Sequence, residues 1–132
     1  MASSQTQLWQ AYEGLGPRED SETIIRRSND RLLSPDLTVA QRARAYCERG
    51  LAYARSDRDA LAIGDYTSSI ELGDPVDEAH AFWLCLSHFY RGWALEALGQ
   101  HHAALDDFAT ALRIDPEQCQ FLIWHDQGQS SQ

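Results

Sequence analysis

Two stretches of this 132-residue chain share one register, and that repetition limits what it can fold into more than any other feature. Tyr46-Cys47-Glu48-Arg49-Gly50-Leu51-Ala52-Tyr53 aligns with His88-Phe89-Tyr90-Arg91-Gly92-Trp93-Ala94-Leu95, with Arg-Gly-x-Ala common to both. Twelve residues after each Gly stands an Ala, Ala62 or Ala104. Four further on comes an aromatic, Tyr66 or Phe108, and four beyond that Ile70 or Leu112. Each stretch closes with Asp-Pro, at 74–75 and 115–116. The steps of three and four residues are helical, and nothing reads as a strand pair. A helix pair repeated in one register buries its apolar face on its neighbours. Gly50 and Gly92 then mark places where a second helix comes close, because a Cβ there would push it away.

Punctuation divides the chain further. Gly14, Gly16 and Pro17 break it, and Ser21 is expected to cap a helix running through Ile24, Ile25 and Leu32. Ser34-Pro35-Asp36 breaks it again. Thr38 and Gln41 have capping-box spacing, which predicts a helix to about Ser56. Asp57 is expected to cap a helix over about 58–72 that stops at Gly73. Pro75 takes the first position of a helix of about 22 residues that stops at Gly99. Another helix spans about 101–113. Asp115 and Gln118 form a further capping box, ahead of Phe121-Leu122-Ile123-Trp124. One domain, residues 21–126, is therefore expected. It divides into a degenerate helix 21–34, unit one 38–73, unit two 75–114 and a capping segment 116–126. Residues 1–20 are a tail and lead-in, and 127–132 a disordered tail.

The pattern resembles the tetratricopeptide repeat, written W-x2-L-G-x2-Y, then A-x3-F, then P. The resemblance covers residues 43–116. Residues 21–35 resemble the second helix of an earlier unit, with Ile24, Ser28 and Leu32 in its small, aromatic and leucine places. It implies an all-α fold, a right-handed stack of antiparallel helix pairs forming an α-solenoid. Three features depart from the pattern. Gly50 and Gly92 lie 42 residues apart, against a usual period of about 34. Of the surplus, seven residues fall between Pro75 and Gly92, about two turns, which predicts a lengthened first helix in unit two. Tyr46 and His88 replace the family's Trp, and Arg49 and Arg91 replace its Leu.

The resemblance also implies a function. First helices of such units line a concave groove that holds partner peptides. By position, unit one offers Arg44, Cys47, Glu48, Leu51 and Arg55, and unit two Leu86, Phe89, Tyr90, Trp93 and Glu96. Phe89, Tyr90 and Trp93 sit at i, i+1 and i+4, a candidate anchor set for a protein or peptide partner. The alternative is that they are buried by the chain's own ends or by a second copy, in a self-associating structural protein or homodimer. Relatives that grip the carboxylate ends of large chaperones use groove Lys and Asn, which are missing here, so that partner class is excluded. In size and charge the chain resembles small acidic tetratricopeptide chaperones of bacterial secretion systems, which implies an adaptor or chaperone-like role.

Charge narrows the partners. The formal net charge is −9, from 20 acids against 11 bases, and every base is Arg. The lack of lysine points to a GC-rich, bacterial source. Residues 1–58 carry nine Arg and eight acids, while residues 59–132 carry two Arg and twelve acids, a balance of −10. An acidic half of this kind repels nucleic acid and anionic membrane. Cys47, Cys85 and Cys119 are odd in number and contain no C-x-x-C pair, so reduced thiols are expected. No secretory signal and no apolar stretch of roughly 18 residues is visible, and cytoplasm is the default.

Enzyme signals are thin. Cys85 and His88 stand at i, i+3, and His101-His102 lie near Asp106, but no further ligand or orienting group accompanies either set. There is no Gly-rich phosphate loop. The reading is therefore no enzyme, no metal and no cofactor. Last, Phe121, Leu122, Ile123 and Trp124 are too apolar to stay in water on so short a segment. We expect them to fold as a short helix against unit two near Phe108 and Leu112, capping the stack, with a dimer contact as the alternative.

Overall fold

The structure is a computed structural model that describes residues 19–120 and 122. It is all-helical: α1 (Ser21–Leu32), α2 (Val39–Arg55), α3 (Asp59–Ile70), α4 (Glu78–Ala97) and α5 (His101–Ile114), followed by a helical segment over 116–120. No strand occurs among the described residues. Residues 1–18 and 127–132 of the expected tails, and Phe121 and residues 123–126 of the expected cap, lie outside them.

Each helix packs on the next, and α2 also packs on α4. The second helices α1, α3 and α5 make no backbone contact with one another. The first helices of successive units are thus joined side by side, while the second helices lie apart. Within unit two, Cys85 meets Ala111 and Gly92 faces Phe108, so α4 and α5 run antiparallel.

Local chemistry explains the helix ends. Thr38 and Gln41 close the capping box: the Gln41 N–H donates to Thr38 Oγ1 at 3.1 Å and the Thr38 N–H to Gln41 Oε1 at 2.9 Å. Three expected starts are corrected. Asp20, not Ser21, caps α1, accepting the Thr23 N–H at 2.7 Å. Asp57 does not cap α3, because it adopts a left-handed φ of 62° to finish α2. There the Arg58 N–H reaches back to the Tyr53 carbonyl at 2.8 Å, the six-to-one bond of a helix terminator. Gly99, at φ 81°, does the same for α4 through the Gln100 N–H and the Leu95 carbonyl. Asp stands in for Gly at the first of these because its short polar side chain tolerates that region.

Pro75 likewise does not open α4. Asp77 does, accepting the His80 N–H at 2.7 Å, and His80 Nδ1 in turn accepts the Val76 N–H at 3.1 Å. Burial holds the His80 imidazole below its ordinary pKa, which favours the neutral ring this bond requires. The helix therefore begins 14 residues before Gly92, where α2 begins 11 before Gly50. The lengthening amounts to three residues, and the rest of the surplus lies in the connection ahead of Asp77.

The repeat register determines the core. Ala62 and Ala104 are fully buried. A Cβ on Gly50 would lie 2.6 Å from a ring carbon of Tyr66, and one on Gly92 would lie 2.7 Å from Phe108. Each aromatic therefore rests on the glycine of its own unit. Tyr66 also reaches the next unit, stacking on Tyr90 with ring centroids 6.4 Å apart. Helix α1 buries Ile24 and Ile25 against Ala52 and Tyr53 of α2.

Candidate functional site

The arginines that replace the family's leucine reach from the first helices to the helices on either side. Arg49 grips Asp65 through Nε at 2.8 Å and Nη2 at 2.6 Å. Its third donor, Nη1, reaches Asn29 on α1 at 2.8 Å. Arg91 repeats this in unit two, gripping Asp107 and donating from Nη1 to Thr67 on α3 at 3.1 Å. Asn29 and Thr67 each follow the residue in the aromatic place, Ser28 and Tyr66. Arginine joins its own second helix to the preceding one, a task that leucine performs by apolar packing. Asn29 on α1 thus stands to Arg49 as Thr67 on α3 stands to Arg91. The signal was present in the sequence, since Asp65 and Asp107 both stand 16 residues after their arginine.

On this frame the expected groove residues part into two sets. Leu86 and Phe89 are 0% and 3% exposed, and Cys47, Glu48 and Leu51 are also buried. They lie in the interior, joined in one core cluster, Glu48 excepted, with Cys119 and Leu122. Glu48 is held between two guanidinium groups, Arg44 Nε at 3.4 Å and Arg31 Nη1 at 3.8 Å. Arg44 also lies over the Trp83 ring, 5.6 Å from its centroid. Arg44 and Tyr90 are half-buried, while Arg55, Trp93 and Glu96 are exposed.

Trp93 is the outlier. It follows Gly92 as Leu51 follows Gly50, yet Leu51 is 7% exposed and Trp93 48%. Its ring is nonetheless positioned, packing edge-on against Phe89 at 6.3 Å and Phe108 at 6.1 Å. Phe89 meets Phe108 at 5.6 Å and Tyr90 at 5.5 Å. A run of rings thus leads from Tyr66 inside unit one out to Trp93. Beside it α5 presents Leu105 and Leu112 to solvent, seven residues apart on the stripe that carries Phe108. Sequence reasoning did not single out Leu105, and it placed Leu112 beneath the expected capping segment rather than in solvent; their counterparts in unit one, Ile63 and Ile70, are partly covered.

The residues with catalytic or metal-binding potential are turned to structural partners. His88 Nδ1 lies 2.9 Å from Asp107 Oδ1, completing the Arg91–Asp107 cluster. Cys85 Sγ lies 3.5 Å from the Ala111 carbonyl oxygen, so Cys85 and His88 face different partners. His101 pairs with Glu96 at 2.8 Å, both at the surface. Among the described residues no three His, Cys, Asp or Glu side chains are placed to hold a metal ion. Among them, too, no helix is long and apolar enough to cross a membrane.

Comparison with known proteins agrees with this register. Residues 85–118 match the family model of the tetratricopeptide repeat, so the chain carries that repeat in its second unit. The match spans His88, Arg91, Gly92, Ala104, Phe108 and Pro116. Proteins bearing this repeat use it in general as a protein-interaction module. No curated protein matches the chain, and no solved structure matches it.

Proposed function

We propose that the chain is an adaptor or chaperone-like module that receives a segment of another protein along the face of α2 and α4. The carrying observation is Trp93, held edge-on by Phe89 and Phe108 and half exposed where the equivalent Leu51 is buried. A large ring that is rigid before binding loses little entropy on contact, which is what an anchor residue requires. Arg44, Arg55, Tyr90 and Glu96 supply the polar surround. Leu51, Leu86, Phe89 and Glu48 act as the floor that holds the anchor in place. The balance of −10 over residues 59–132 selects a partner segment with an apolar residue for Trp93 and basic residues around it.

A photo-reactive phenylalanine analogue placed at position 93 tests this. In native lysate it should crosslink to a second protein, while the same group at buried position 51 should not. A crosslink only to another copy of the chain would replace this reading with self-association. Equal labelling at the two positions would end it.

A further inference from the structure

Helices α3 and α5 hold the same register in their units, but only α3 is covered on both sides. It packs on α2 and on α4, whereas α5 packs on α4 alone among the helices. Ile63 and Ile70 of α3 are accordingly part-covered, while their counterparts Leu105 and Leu112 are 61% and 48% exposed. The segment after α5 does not close this face. Cys119 and Leu122 enter the core beside Ala111, and both leucines stay in solvent.

Two residue choices separate the α5 face from that of α3. The first stands at the place that receives the arginine of the following unit. Asn29 on α1 and Thr67 on α3 accept Arg49 and Arg91 there. On α5 the place holds Ala109, which is exposed and has no side-chain acceptor. Helix α5 thus lacks the polar group that joins one unit of this chain to the next. It offers instead a small residue between two leucines, at i, i+4 and i+7 on one stripe. The second choice is charge. Asp106 and Arg113 follow the two leucines, seven residues apart as they are, and both are exposed. The Arg113 guanidinium donates to the Thr110 hydroxyl at 3.1 Å, and no ion pair holds either side chain among the described residues. On α3 the same places are Gly64 and Glu71, which cannot pair with each other.

We propose that α5 is the seat of a homodimer, in which a second copy of the chain lays its own α5 antiparallel across the first, about a two-fold axis beside Ala109. A two-fold contact must be self-complementary, so that residue i meets j and j meets i. The stripe meets that condition. Leu105 and Asp106 of each copy come to lie by Leu112 and Arg113 of the other. A parallel copy would instead set Asp106 on Asp106 and Arg113 on Arg113. The leucines supply the affinity, while the exposed pairs fix orientation and register. Helix α5 has 14 residues and is about 21 Å long. One face of it buries less than the ~800 Å² per partner of a standard interface, so the dimer is weak and follows concentration. Because α2 does not pack on α5, this surface is separate from the face of α2 and α4 proposed above to take another protein.

Sedimentation of the full chain from micromolar to millimolar concentration should show the mass rising from one chain to two. Asp106→Arg and Arg113→Asp should each weaken the dimer by about tenfold, since each sets like charges at both pairing points. Both should melt as the dilute parent does. Mixed one to one, the two variants should associate again at the parent's strength. One copy then carries arginine at both places and the other carries aspartate. The double variant, Asp106→Arg with Arg113→Asp, should also dimerise as the parent does, and Leu105→Ser should not dimerise. A parent that stays monomeric throughout overturns the proposal. So does an association that the single variants or Leu105→Ser leave intact, or one that neither mixing nor the double variant restores.

Discussion

The Arg91 guanidinium grips the Asp107 carboxylate at two points, Nε to Oδ2 at 2.7 Å and Nη2 to Oδ1 at 2.8 Å. Asp107 is buried, and the same pair recurs as Arg49 and Asp65. Breaking one partner of a buried pair strands a charge, whereas replacing both with apolar groups does not. Arg91→Leu, which installs the family's residue, should therefore cost about 3 kcal/mol in urea unfolding. Arg91→Leu with Asp107→Leu should recover much of that loss. If the double variant is as unstable as the sum of the singles, the pair is not acting as a unit.

The acid limb of stability should carry the same signature. Burial pushes the Asp107 carboxyl up, but hydrogen bonds from Arg91 and His88 outweigh it, and the group lies below its ordinary range. A folded pKa below the unfolded one gives stability that is fully present above the unfolded value, about 4, and lost as pH falls through the lower folded value. The stability gap between parent and Asp107→Asn should thus narrow as pH falls below about 4. Urea midpoints measured from pH 7 to pH 2.5 would show it. A gap that stays constant would mean the Asp107 charge contributes nothing.

Three glycines should respond to the same substitution in opposite ways. A Cβ on Gly50 or Gly92 would meet the Tyr66 or Phe108 ring under 3 Å away, and these rings are wedged between helices. Gly50→Ala and Gly92→Ala should each lose about 1–3 kcal/mol by overpacking. Gly64 lies inside α3 with nothing within 4 Å of its added Cβ. Gly64→Ala should gain about 0.5–1 kcal/mol, because alanine loses less backbone entropy in a helix. Thermal unfolding of the three variants decides the point, and a stabilised Gly92→Ala would show that the Phe108 ring yields.

These contrasts mark what was legible in the sequence. Small and aromatic places recur at fixed spacing, so Gly50, Ala62 and Tyr66 could be assigned from position alone. The arginines could not, because the family's pattern expects leucine at 49 and 91, and a charge there reads as a defect until its aspartate is seen. Helix starts were missed where two nearby residues each offer a start, as at Asp20 and Ser21 or at Pro75 and Asp77. The division of the groove face was illegible for a different reason. Whether Leu51 or Trp93 is covered depends on the neighbouring helix, and both follow glycine in the same register.

The expected cap yields the last prediction. Part of it lies within the described residues: Gln118 donates its N–H to Asp115 Oδ1 at 3.0 Å, and 116–120 is helical. Leu122 is 2% exposed and joins the cluster of Ala111, Cys85 and Phe89. Leu112, expected to meet the cap, instead remains about half exposed. The reason is that Leu112 follows Ala111 on α5, and it is Ala111 that turns inward to meet Cys85. Leu122→Ala should cost about 2–4 kcal/mol, the usual loss for a fully buried leucine, while Leu112→Ala should cost under about 1 kcal/mol. Removing residues 119–132 should do more, by uncovering Cys85 and Leu86, and the product should bind a hydrophobic dye that the full chain does not. Equal losses for Leu112→Ala and Leu122→Ala, or a truncated chain that melts where the parent does, would show that the segment adds nothing to the stack.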